Sequence, residues 1–197
     1  MKKIFASLFL IASLAAQAQV SNSLGVWVDH FPYGSAIDIE ESNNVTYVAT
    51  TQGLFTYNLD DRVVERISKV NGLSDVGLTD IAYSEEYNVL LIGYENGNLD
   101  VYENGRISNF PDIRLSSNYS GLKVINHINI VGNLAYLSTN FGILAYDILR
   151  DLVLETYIIG PEGTILAVNQ TAADSDSLYA ATEEGLYSVA LNAPTFF

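Results

Sequence analysis

The sequence predicts an all-β fold, a β-propeller of four blade repeats. Three observations predict it: a glycine-marked pattern recurring about every 44 residues, strand-like apolar runs, and no sustained 3.6-residue apolar period past the first segment. The copies read Val48-Ala49-Thr50-Thr51-Gln52-Gly53-Leu54-Phe55, then Ile92-Gly93-Tyr94-Glu95-Asn96-Gly97-Asn98-Leu99. Leu137-Ser138-Thr139-Asn140-Phe141-Gly142-Ile143-Leu144 and Ala180-Ala181-Thr182-Glu183-Glu184-Gly185-Leu186-Tyr187 follow. Gly53, Gly97, Gly142 and Gly185 therefore stand 44, 45 and 43 residues apart. Strand-rich repeats of about 40 to 50 residues are the mark of propeller blades.

Composition agrees with a packed chain and narrows its chemistry. Of 197 residues, 49% are hydrophobic and 16% charged, enough apolar material for a real core. Cysteine is absent, which excludes disulfides, thiolate metal sites and a thiol nucleophile. The formal net charge of −14 repels nucleic acid as a partner.

Taken in order, residues 1–18 read as a cleaved export signal. Lys2 and Lys3 precede the apolar run Ile4 to Leu14, and Ala16-Gln17-Ala18 offers small residues before a cut after Ala18. The run is shorter than the about 18 to 20 apolar residues a membrane span needs. No Cys follows the cut, so a lipoprotein anchor is excluded, and loss of the two Lys takes the mature chain to −16. The remainder, 19–197, is assigned to propeller blades.

Leu24 to Val28 reads as an extra apolar strand ahead of the first unit. The first unit has strands near 36–41, 45–51, 54–58 and 62–67, and the second near 79–84, 88–94, 98–102 and 106–109. The third has them near 124–130, 134–139, 142–147 and 152–157, and the fourth only near 165–169, 177–182 and 185–190. Tyr47, Leu91, Tyr136 and Tyr179 occupy one repeat column; Ala49, Gly93, Ser138 and Ala181 form a second, of small residues. Val48, Ile92, Leu137 and Ala180 point to the other face, so both faces of each sheet are apolar or small. Such a sheet must be covered on both sides, as a blade is by its two neighbours. The four glycines take the role of blade turns, with Asn96-Gly97 the strongest hairpin signal. The fourth unit lacks an outer strand and the chain stops at Phe196-Phe197, which predicts an open part of a larger propeller, a truncated one. Leu24 to Val28 closing a four-bladed ring is the alternative.

No catalytic, cofactor-binding or metal site is assigned. His30 and His127 are far apart and have no thiolate partners, and no nucleophile elbow or phosphate loop is present. The carboxylate pairs Glu40-Glu41, Asp60-Asp61, Glu85-Glu86 and Glu183-Glu184 fall at turns or strand ends and read as solvated charges. Asp174-Ser175-Asp176 begins like a calcium loop but lacks its glycine and distal Glu. The 13 tyrosines read mostly as packing residues, with Tyr33 and Tyr119 as candidate sugar-stacking positions.

The ordered segments between the repeats resemble the amino-terminal propeller of the PorZ family. They include Ser68-Lys69-Val70-Asn71-Gly72-Leu73-Ser74-Asp75, Phe110-Pro111-Asp112-Ile113-Arg114, Gly121-Leu122-Lys123-Val124-Ile125-Asn126 and Glu155-Thr156-Tyr157-Ile158-Ile159-Gly160. The resemblance implies an exported, non-catalytic scaffold of the type IX secretion system, in the periplasm or at the cell surface and associated with the outer membrane. It implies protein partners, the PorU sortase among them, and possible contact with anionic lipopolysaccharide while cargo is attached. No cofactor is implied, and the mature chain is expected to carry no transmembrane segment. Two other readings stand beside it: the polysaccharide-sensing propeller of a hybrid two-component regulator, and a propeller lyase or glycosidase.

Overall fold

A computed structural model describes residues 33–119, 121–161 and 164–191. The proposed signal, the Leu24 to Val28 strand, His30 and the terminal Phe196-Phe197 lie outside these residues.

Among the described residues, the strands hydrogen-bond only to sequence neighbours and make four antiparallel sheets. The first blade is β1 (Ala36–Ser42), β2 (Val45–Thr50), β3 (Gly53–Asn58) and β4 (Val64–Ile67). The second is β5 (Leu78–Ser84), β6 (Val89–Tyr94), β7 (Leu99–Glu103) and β8 (Arg106–Phe110). A single helical turn, α1 (Asp112–Leu115), leads to β9 (Ile125–Val131), β10 (Leu134–Thr139), β11 (Gly142–Asp147) and β12 (Leu152–Tyr157). The fourth blade has three strands, β13 (Val168–Ala173), β14 (Ser177–Thr182) and β15 (Gly185–Ala190).

Blades stack in chain order. Each innermost strand packs on the next, β1 on β5, β5 on β9 and β9 on β13, and no comparable packing joins β13 back to β1. The result is an open arc of a propeller. Its apolar content lies between the sheets, in three clusters. Ala49, Leu54, Ile81, Leu90 and Ile92 fill the first seam. Leu91, Leu99, Ile125, Leu137 and Leu144 fill the second. Tyr136, Ile143, Val168, Leu178 and Ala180 fill the third. A Cβ on Gly93 would lie 2.9 Å from Ile125 Cγ2, so the small column is what lets neighbouring sheets close up.

Innermost strands share two further devices. Each carries a register shift near its start, at Ala36/Asp38, Leu78/Asp80 and Val168/Gln170, and opposite Ser138/Thr139 for β9. Just past that shift a polar side chain reaches across the seam to the next blade's backbone. Asp38 Oδ2 accepts the Ile81 N–H at 2.9 Å, and Asp80 Oδ2 accepts the Ile128 N–H at 2.7 Å. His127 Nδ1 accepts the Thr171 N–H at 3.5 Å. Gln170 holds the fourth such position and is exposed.

Two elements differ from the sequence reading. The fourth inner strand runs over Val168–Ala173 rather than 165–169. Ile165, at the start of the expected span, is an exposed linker residue. The turn α1, not expected from the sequence, places buried Ile113 in the second seam.

Candidate functional site: a tyrosine-lined groove between the first two blades

Where the rear of the first blade meets the front of the second, the seam opens outward into a groove of about 540 Å³. Glu65 and Arg66 of β4, Tyr102 of β7, Ile107 of β8 and Asn71 line it. A smaller recess of about 160 Å³ adjoins it, sharing Glu65 and Tyr102 and adding Tyr47 and Thr56. Strand pairing explains the placement: Tyr47, Thr56 and Glu65 are successive partners across β2, β3 and β4 and so share one face. Tyr102 comes from the facing sheet.

Tyr102 lines both the groove and the recess, Tyr47 lines the recess, and Tyr83 packs on Tyr47. Tyr47 stacks on Tyr83 with ring centroids 5.6 Å apart and meets Tyr102 edge-on at 6.1 Å. Tyr83 donates its hydroxyl proton to Asn88 Oδ1. Burial, then the neighbouring Tyr83 and Tyr102, push Tyr47 up to about 12, and burial with the Glu65 charge raises Tyr102. The Tyr47 and Tyr102 hydroxyls therefore stay protonated across the physiological range and serve as neutral donors and acceptors. Groove and recess together offer aromatic edges, hydroxyls, the Glu65 and Asp61 carboxylates and one guanidinium, groups that can hydrogen-bond a polar ligand.

The residues singled out in the sequence are dispersed through the arc. His127 sits in a blade seam as an acceptor for Thr171, and burial lowers its pKa. Glu40 and Glu41 are consecutive in β1 and point to opposite faces, Glu40 half-buried and Glu41 exposed. Burial, with Asp38 and Glu85 nearby, raises Glu40. Asp61 Oδ1 accepts the Val63 N–H at 3.0 Å in the β3–β4 turn, and Asp60 Oδ1 accepts the Asn44 amide at 3.2 Å. Glu86 accepts the Tyr87 hydroxyl at 3.0 Å, and Glu183-Glu184 form the β14–β15 hairpin. Asp174 Oδ1 accepts the N–H groups of Asp176 and Ser177, so it closes a turn on itself. Among the described residues, no group of three His, Cys, Asp or Glu side chains is arranged to hold a metal.

Both candidate stacking tyrosines are engaged in packing. Tyr33 meets Phe55 edge-on and lies beneath the Arg66 guanidinium, while Tyr119 stacks on Phe141 at 4.1 Å and bonds to Thr156 Oγ1 at 3.0 Å. Gly53, Gly142 and Gly185 each open the third strand of a blade, paired with a Thr, whereas Gly97 precedes β7 inside a longer loop. Sequence reasoning missed the tyrosine groove because Tyr47, Tyr83 and Tyr102 meet only after two blades stack. It also missed the seam latch, whose trace is a polar residue followed by a β-branched one: Asp38-Ile39, Asp80-Ile81, His127-Ile128, Gln170-Thr171.

An open arc of stacked antiparallel blades defines the chain as part of a β-propeller. Residues 46–194 match the family described as the TSS9, PorZ, N-terminal β-propeller domain, and the chain belongs to that family. Among solved structures it is similar to PorZ, an essential bacterial surface component of the type IX secretion system of Porphyromonas gingivalis. That match has 25% identity and a TM-score of 0.69 over 81% of this chain and 21% of that one. It is also similar in fold to the extracellular domain of a putative one-component system from B. thetaiotaomicron. There the identity is 18% and the TM-score 0.65, over 82% of this chain and 22% of that one. A computationally designed protein, Ika4, shares the fold at 11% identity and a TM-score of 0.63, covering 86% of this chain and 99% of that one. The chain thus spans about a fifth of the length of the PorZ structure. No curated protein sequence matches it. No helix among the described residues is long and apolar enough to cross a membrane.

Proposed function

We propose that the chain is an exported, non-catalytic scaffold of type IX secretion at the outer membrane. In this role it binds protein partners of the sortase type and assists attachment of cargo to anionic lipopolysaccharide. The observation that carries the reading is the family match over residues 46–194, which takes in strands of all four sheets. The seam groove supports it by offering a polar, aromatic recess. The sensor-like neighbour, at 18% identity, shows the fold alone. We further propose that residues 1–18 are the export signal and that the blades form part of a larger propeller.

The test is deletion of the gene in the bacterium that carries it, followed by fractionation of sortase cargo. Cargo is expected to lose its surface attachment and to regain it on complementation with the intact gene. Normal surface cargo in the deletion strain would overturn the reading.

A further inference from the structure

The recess beside the seam groove is acidic, although Arg66 stands in the groove wall. Glu65 and Asp61 both line the recess, and both are exposed. Neither enters an ion pair among the described residues. Strand pairing turns two nearby arginines away. Glu65 pairs with Thr56, on the face that also carries Tyr47, whereas Arg66 pairs with Phe55 and leaves β4 on the other face. There its guanidinium lies 5.4 Å from the centre of the Tyr33 ring. In the second blade Arg106 pairs with Glu103 and Tyr102 with Ile107, so Arg106 leaves β8 on the face opposite Tyr102. Arg62 follows Asp61 in the turn and lines neither cavity.

Aromatic rings and aliphatic walls complete the space. Tyr47 and Tyr102 meet at 68° beside the two carboxylates, and Ile67 and Ile107 wall the adjoining groove. Burial, then the Glu65 charge, raises the Tyr102 hydroxyl, and the negative potential that resists a phenolate favours a cation. A neutral ligand seated here would shield both carboxylates from water without supplying a countercharge, which costs free energy. A guanidinium or an ammonium supplies that countercharge and is attracted to tyrosine ring faces. Its aliphatic stem can lie along the isoleucines.

We propose that the groove and its recess receive a lysine or arginine side chain from a basic segment of a protein partner. Glu65 and Asp61 meet the charge, and Tyr47 and Tyr102 flank it. Both cavities are built by the first two blades and need nothing from either end of the arc. The formal net charge of −14 draws such a segment in from a distance, at a rate that falls as salt rises. Taking the partner to be a protein rests on the proposed scaffold role; the cavities and their charge do not.

The test is an NMR titration of the purified, isotopically labelled chain with a short glycine-rich peptide carrying one central arginine. Versions with lysine or glutamine in its place serve as comparison. The arginine and lysine peptides are expected to shift amides of β3, β4 and β7, more weakly as salt is raised, and the glutamine peptide to shift none. Glu65→Gln and Tyr102→Leu are each expected to weaken arginine-peptide binding about five- to tenfold, with the fold intact by circular dichroism. Glu183→Gln removes an exposed carboxylate in the β14–β15 hairpin and is expected to leave binding unchanged. An equal loss in Glu183→Gln would assign binding to the general acidic field and overturn the site. Binding of the glutamine peptide, or of maltotriose, at the same amides and as tightly as the arginine peptide would overturn it too. So would the absence of any shift up to the solubility of the arginine peptide. A failed titration together with lost cargo attachment in the deletion strain would overturn this site and leave the scaffold role standing.

Discussion

Asp80 works where two blades meet: it accepts the Ile128 N–H at 2.7 Å and faces the Asp38 carboxylate and Glu40 on β1, with His127 on β9 beyond. Burial pushes its pKa up to about 7, and Asp38 and Glu40 add to the rise against the Ile128 bond. The folded protein therefore holds this proton more tightly than the unfolded chain, whose Asp titrates near about 4. Stability from the protonated form is full below that pH and is lost as pH rises toward 7. His127 acts oppositely: its lowered pKa costs stability as pH falls below about 6.5. Asp80→Asn isolates the first effect, since its carbonyl still accepts from Ile128 and its amide can donate to Asp38. In urea titrations the variant is expected to gain on the parent between pH 5 and pH 8, by on the order of 2 kcal/mol. A difference independent of pH would sink the assignment. Nothing in the sequence around Asp80 foretells this shift, because the groups that cause it arrive from neighbouring blades.

At the scale of the hairpin, most of the architecture was legible because central strands such as β6 and β11 are buried on both faces and the small column repeats. The strands 134–139, 142–147, 177–182 and 185–190 lie where the alternation puts them. The glycine ruler was less uniform than it looked. In the first, third and fourth blades a Thr hydroxyl donates to the carbonyl of the Gly three residues on, at 2.8 to 2.9 Å. In the second blade the loop is one residue longer, and Asn98 holds the place that Gly53 and Gly142 occupy. Gly97 there takes φ +81° after a tight turn closed by its N–H to the Tyr94 carbonyl at 3.2 Å. Gly142 is the most constrained of the set. Its φ is +128°, and a Cβ would sit 2.2 Å from the Tyr157 carbonyl oxygen of the neighbouring strand. Gly142→Ala is expected to cost roughly 2–4 kcal/mol, read as a lower urea midpoint with an unchanged slope. An unchanged midpoint would show that β12 yields without cost. The fourth inner strand was misplaced for a related reason: an apolar run in a linker mimics a buried strand, and only seam contacts tell them apart.

For the whole molecule, charge sets the strongest constraint on the proposed role. A formal net charge of −14 surrounds the arc with a negative field. The groove itself carries Glu65 beside Arg66, so it offers little net attraction to phosphate. Direct approach to an anionic lipopolysaccharide surface is therefore repulsive at distances up to the Debye length, about 8 Å at physiological ionic strength. Two routes remain physically open: divalent cations bridging carboxylates to lipid phosphates, or capture of neutral sugar in the tyrosine groove. They respond differently to conditions. With purified lipopolysaccharide vesicles, the bridged route predicts binding that needs millimolar calcium or magnesium and is abolished by a chelator. Since both surfaces are anionic and the chain has only 9 Lys and Arg residues, we expect the cation-dependent result. Binding that persists in chelator but is lost in Tyr102→Ala would assign the contact to the groove instead. Binding that tightens as salt is removed in the presence of chelator would contradict the acidic field as the governing term. Such behaviour would require a basic face that the described residues do not show.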